Sequence, residues 1–270
     1  MNAQLQPIFA RQSEQPGHWY GPDGTPRYTV IGANGRERHT TLADARKNGW
    51  FPSVTQIQKV KAAPQLTNWM VEQSILAALT LPRIDGETER DYVARVKEDG
   101  QAQAKAAAEE GTRIHNALEL AFDHQSIGCP PQYLSHLAGV MGCIFEHFPG
   151  VTDWVSEASF AHPLGYGGKV DLHSPSTGIV IDYKGKDCAP GDVDSKGKPK
   201  TYGYPNHCEQ LAAYQTGLNL PKAPCANIFV SRTHPGHCVL QVWTPDDIAH
   251  GWAMFERMLS LWQCDNRLAA

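Results

Sequence analysis

One stretch constrains the fold of this 270-residue chain more than any other: Gly178-Ile179-Val180-Ile181-Asp182-Tyr183-Lys184-Gly185, a β-branched run that passes directly into a carboxylate and an ammonium. A short run of this kind bounded by glycines is a strand. Alternate side chains of a strand share a face, so Asp182 and Lys184 point the same way while Ile181 points into the other layer. The runs at 154–160 and 166–174, separated by HPLG and PSTG turn signals, make this the third strand of an antiparallel meander. Asn206-His207-Cys208-Glu209 then reads as a capping-box start with Asn206 as N-cap, opening a helix that stops at Gly217 and Pro221. Strands follow at 226–231 and 237–243. Thr244-Pro245-Asp246-Asp247 opens a last helix whose apolar face is Ile248, Trp252, Phe255, Leu259 and Trp262.

The part before Pro149-Gly150 has a different character. Residues 18–50 mix Trp19, Tyr20, Tyr28, Val30 and Ile31 with PDG and NG turns, the pattern of a hairpin, and Thr41-Leu42-Ala43-Asp44 starts a short helix. Residues 53–148 are mostly helical, with Leu66, Trp69, Met70, Ile75 and Leu79 at helical spacing before Pro82. The expected organisation is an N-terminal β-hairpin extension over 1–50, a helical extension over 51–110 and an α/β core with a C-terminal helix over 111–270.

With 41% apolar and 19% charged residues the chain is globular, and no apolar stretch approaches the roughly 18 residues of a membrane span. The N-terminus lacks a signal pattern, so the expectation is a cytoplasmic protein with no membrane partner. Seven scattered Cys without a CxxC pair fit reduced thiols. A net charge of −4 means that a nucleic-acid partner needs a local basic groove.

Asp171, in Lys169-Val170-Asp171-Leu172, is brought near Asp182 by the PSTG turn. Two carboxylates this close repel unless a cation sits between them, and an oxygen-rich site suits Mg²⁺ or Mn²⁺. Lys184 then adjoins the water at that cation. The alternative for a lone Asp-x-Lys is an ordinary surface ion pair.

The wider series is Gly111-Thr112-Arg113-Ile114-His115, Glu157, Gly168 with Asp171, Asp182-Tyr183-Lys184, and Gln210-Leu211-Ala212-Ala213-Tyr214. It resembles the PD-(D/E)XK nuclease superfamily and, within it, the RecB-like branch, with its G-x-x-x-H, G-x-x-D, D-x-K and Q-x-x-x-Y pattern. The resemblance covers about residues 110–243. Upstream, Pro52-Ser53-Val54-Thr55 and Leu66-Thr67-Asn68-Trp69 are similar to the N-terminal part of phage exonucleases and of the mitochondrial genome maintenance exonuclease. The implied fold is a restriction-endonuclease-like α/β core of helix, three antiparallel strands, helix and strands.

The resemblance implies a Mg²⁺- or Mn²⁺-dependent DNA exonuclease of phage or prophage type, serving recombination, repair or replication. Asp171 and Asp182 would be metal ligands, joined by His115 and Tyr183, with Lys184 positioning the attacking water and Glu157 touching the metal or its water. Gln210 and Tyr214 would bind DNA or support the site. The implied partners are DNA with a free end and a single-strand annealing or binding protein. Iron–sulfur relatives carry a Cys before the core, whereas residues 1–128 contain none, so no cluster is expected. The chain departs from many relatives in following Lys184 with Gly185 rather than Thr. There begins a basic segment with Lys186, Lys196, Lys198 and Lys200 among Gly and Pro, read as a flexible loop that contacts phosphates or as a solvated loop without a role. A structure-specific endonuclease on the same core and a catalytically silent DNA-binding or assembly module are the rival readings.

Overall fold

The structure, a computed structural model, describes residues 18–62, 64–123, 128–220 and 222–267. In chain order the elements are β1 (Trp19–Tyr20), β2 (Thr29–Ile31), β3 (Glu37–His39), α1 (Leu42–Asn48), β4 (Phe51–Pro52), α2 (Val54–Gln58), α3 (Pro64–Thr80) and α4 (Glu89–Asp123). Then follow α5 (Leu134–His147), β5 (Val155–His162), β6 (Tyr166–His173), β7 (Val180–Lys186), α6 (Pro205–Gly217), β8 (Cys225–Ser231), β9 (Cys238–Trp243) and α7 (Pro245–Asn266).

The architecture is mixed α/β, built on one five-stranded sheet in the order β5-β6-β7-β8-β9. Every neighbouring pair is antiparallel except β7–β8, which is parallel. Parallel neighbours need a crossover, and α6 supplies it. On one face Phe160, Val170 and Val180 pack with Leu211 of α6, Phe255 of α7, and Val54 and Ile57 of α2. On the other, Leu172, Ile181, Tyr183, Ile228 and Val230 pack with Ile114 and Leu118 of α4 and with Val140 and Ile144 of α5. Both faces are covered, and accordingly all seven residues of β8 are buried.

The five strands of the sheet fall within two residues of their expected positions. Thr41 caps α1 in a capping box with Asp44, and Thr244 caps α7 in the same way with Asp247. The start of α6 differs. Its N-cap is Tyr204 and not Asn206, because Pro205, with fixed φ and no N–H to lose, takes the first helical position. Glu209, expected to close the capping box, is instead buried in an ion pair 2.6 Å from Lys61.

The N-terminal region also differs in two ways. The hairpin is β2–β3, turning at Gly35 with φ 73°; β1 instead pairs with β4. That pairing puts Trp19 into the main core, 6.0 Å from the ring of Trp262. The expected boundary at 110/111 lies inside α4, which runs unbroken over 35 residues. The helical extension therefore continues directly into the layer that covers the sheet.

Candidate active site

The site forms where β6 and β7 part. The β5–β6 ladder pairs Ser156 with Leu172 and Ala158 with Val170 but skips the step between them, at Glu157 and Asp171. Glu157 there adopts φ 55°, a left-handed conformation that costs a non-glycine residue on the order of 1–3 kcal/mol. The break changes the facing of β6: Val170 belongs to one core and Leu172, two residues on, to the other. Between β6 and β7 the ladder has only Leu172–Ile181 and His173–Val180. Beyond them the Tyr183 N–H donates to Asp171 Oδ2 at 2.7 Å, so a side-chain carboxylate takes the place of a ladder carbonyl.

Asp182 and Lys184 share a face, as their alternation requires. Lys184 Nζ lies 2.9 Å from Asp182 Oδ2 and donates to Asp182 Oδ1 and to Gln210 Oε1, each at 3.0 Å. Gln210 Nε2 in turn donates to the Tyr214 hydroxyl at 2.8 Å. Asp182 Oδ2 also accepts from Asn227 Nδ2 at 2.7 Å, and Asn227 Oδ1 accepts from Trp243 Nε1 at 2.8 Å. Burial, with Asp171 nearby, pushes the Asp182 carboxyl above its ordinary range against the pull of Lys184. Burial works to lower the Lys184 ammonium, but Asp182 and Asp171 outweigh it and hold the amine protonated.

His115 on α4 faces the fork. Its Nε2 is 2.9 Å from the Tyr183 carbonyl oxygen and its Nδ1 is 3.8 Å from Asp171 Oδ2. Between helix and sheet lies a cavity of about 440 Å³. Gly111, Thr112, His115, Asn116 and Glu119 line it from α4, and Glu157, Lys169, Asp171, Tyr183 and Lys184 line it from the sheet. Glu157 is ion-paired with Lys169.

The structure thus brings together His115, Glu157, Asp171, Asp182, Tyr183 and Lys184. It does not bring Gln210 and Tyr214 to the cavity surface. Both are buried, 6% and 5% exposed, behind Lys184. Of the two expected roles, binding DNA or supporting the site, their hydrogen bonds to one another and to Lys184 suit the second. The basic segment is a defined turn. Asp194 accepts from the backbone N–H of Lys196 and Lys198, Val193 bridges to Pro199, and buried Tyr202 packs on Phe229. Lys186 lies over the Tyr204 ring and Lys200 over that of Tyr202, while Lys196 and Lys198 are exposed. None of these four Lys lines the cavity.

Sequence reasoning missed Asn227 and Trp243. The signal was present, since an Asn inside the apolar run Cys225-Ala226-Asn227-Ile228-Phe229-Val230 must be buried and needs partners. Glu119, one turn after His115, lines the cavity as well. Lys169 and Arg232 also line it.

Among the described residues, no group of three or more His, Cys, Asp or Glu side chains is arranged to hold a metal ion. What converges is a mixed set: the Asp171 carboxylate, the Tyr183 carbonyl and the His115 imidazole. Asp182 adds to it only by exchanging a contact with Lys184 or Asn227. Among the described residues no helix is long and apolar enough to cross a membrane.

No family model matches the chain, and no curated protein does. Among solved structures it is similar to one described as "Crystal structure of SSO0001", at 14% identity over 74% of this chain and 92% of that one, with a TM-score of 0.30.

Proposed function

We propose that this protein is a metal-dependent deoxyribonuclease of the PD-(D/E)XK type, hydrolysing phosphodiester bonds from a DNA end. The observation that carries the reading is the fork between β6 and β7. It sets Asp171, Asp182 and Lys184 together at the interruption of an otherwise regular sheet, under His115 and beside a cavity of about 440 Å³. Strained backbone, a buried carboxylate and a charged amine have little structural reason to coincide there; catalysis gives them one.

Asp171, the Tyr183 carbonyl and His115, with Asp182 once it gives up a contact to Lys184 or Asn227, would hold a hard divalent cation such as Mg²⁺ or Mn²⁺. Such an ion polarises a phosphate and lowers the pKa of a water. Lys184, kept protonated by Asp182 and Asp171, has one N–H left beyond those to Asp182 and Gln210 and would donate it to charge developing on the phosphate. Gln210, braced by Tyr214, fixes the position of Lys184. Attack of water at phosphorus breaks the P–O bond in line and leaves a 5′-phosphate on the product.

The test incubates purified protein with Mg²⁺ or Mn²⁺ and linear single-stranded, linear double-stranded or covalently closed circular DNA, with a chelator control. Chelator-sensitive degradation of linear DNA alone is the expected result. Cutting of closed circles makes the enzyme an endonuclease, and binding without cutting makes it a silent module.

A further inference from the structure

We propose that Arg232 is a phosphate-binding residue of this cavity, gripping the DNA backbone next to the bond that is cut. The inference rests on the reading of the cavity as a phosphodiester site. Ser231 pairs with Lys186 at the end of the parallel β7–β8 ladder, and the Arg232 N–H donates to the Lys186 carbonyl at 3.0 Å. Arg232 therefore leaves the sheet at the carboxyl end of its parallel strands, where open α/β sheets bind ligands.

Among the described residues, the cations that line the cavity are Lys169, Lys184 and Arg232. Lys169 is closed onto Glu157, and Lys184 is held by Asp182 and Gln210. Arg232 is held differently. Its Nε donates to Asp187 Oδ1 at 2.9 Å and its Nη1 to the Ala107 carbonyl at 3.2 Å, which occupies two of the five N–H groups of a guanidinium. Asp187 does not line the cavity and its side chain is 64% exposed, so solvent screens that pair. The Arg232 side chain is itself only 19% exposed. Orientation is thus fixed by two weak tethers while the fork keeps donors for an anion, the geometry that suits bidentate phosphate binding. Gly185 makes room for it. A Cβ there would stand 3.2 Å from Gly111 Cα and 3.6 Å from Arg232 Cδ, so the missing side chain lets α4, β7 and the arginine stem close on one another.

The test measures binding of a short fluorescent single-stranded oligonucleotide to the full chain in chelator, as a function of salt. Arg232→Gln is expected to weaken binding about ten- to a hundredfold and to reduce the slope of log K against log salt by about 0.7, one phosphate contact on a single strand. Arg232→Lys keeps the slope and loses part of the affinity, because charge stays and the fork goes; it carries the test if the Gln variant does not fold. Asp187→Ala binds as the wild type does. Unchanged affinity and slope in Arg232→Gln, or equal losses in Asp187→Ala and Arg232→Gln, overturn the proposal and leave Arg232 as a tie between α4 and the sheet. A wild-type protein that binds no oligonucleotide overturns the nuclease reading and this inference with it.

Discussion

The Asp182–Lys184 pair separates two carboxylates that the sequence presents as equals. Asp171 meets one backbone N–H and lies at the cavity edge, whereas Asp182 is 1% exposed and bonded to both Lys184 and Asn227. On the nuclease reading, Asn at either position would remove a metal ligand and is expected to abolish turnover. Stability should respond unequally, with Asp171→Asn within about 1 kcal/mol of wild type and Asp182→Asn losing about 1–3 kcal/mol in urea unfolding, since it leaves Lys184 without its counter-charge. More than a few per cent of activity in either variant would remove that residue from the site. Lys184→Ala is expected to lower kcat by roughly 10²–10⁴ with DNA binding retained. If instead it unfolds at unchanged specific activity, Lys184 is only an ion-pair partner. His207 reports on the same neighbourhood through pH. Burial, then the Lys184 charge, lowers its pKa to about 4, against 6.5 for a free imidazole. A depressed histidine stabilises the fold fully above the free value, and that contribution is lost as pH falls from about 6.5 to about 4. A plot of Tm against pH should fall across that window, and His207→Gln should flatten the fall there.

At the scale of elements, what local chemistry decides was legible. The NG turn of β2–β3, the helix starts at Thr41 and Thr244, and the alternation in β7 each depend on a few adjacent residues, and each is where it was expected. What long-range packing decides was not. The large apolar residues of α3 leave Met70 39%, Ile75 55% and Leu79 77% exposed. Its contact with α4 is made by small residues instead, since a Cβ on Gly100 would stand 3.1 Å from Ser74 Cα, and Ala77 is buried. The site divided in the same way: Asp182 and Lys184 came from period-two alternation, whereas Asn227 reaches Asp182, and Arg232 the cavity beside Lys184, only through the parallel pairing of β7 with β8. Close approach also explains the end of α6. A Cβ on Gly217 would fall 2.0 Å from the Phe160 ring, which is buried at 7% exposure. Gly217→Ala should therefore destabilise the protein by about 1–3 kcal/mol despite the higher helix propensity of alanine, as thermal unfolding will show. A stabilised variant would mean that Phe160 moves aside freely.

For the molecule as a whole, the nuclease reading turns on how a strand would reach Asp171 and Lys184. The cavity is walled by α4 from Ala107 to Glu119, and the earlier part of the helical extension does not line it. The facing wall is the end of β7 with Arg232, not the Lys186–Lys200 segment. A volume of about 440 Å³ is that of a small-molecule pocket, enough to hold roughly one nucleotide. If the cavity is a nuclease site, that size favours entry of a strand end, with exposed Lys196, Lys198 and Lys200 available to the backbone farther out. Two results follow from that geometry. Neutralising these three lysines together should weaken DNA binding and flatten its salt dependence while leaving activity at saturating DNA nearly unchanged. A linear substrate with both ends blocked by bulky adducts should resist degradation while the unblocked one is consumed. If the blocked DNA is degraded at a similar rate, strands reach the β6–β7 fork from the side, and the cavity is a groove rather than the closed end of a path.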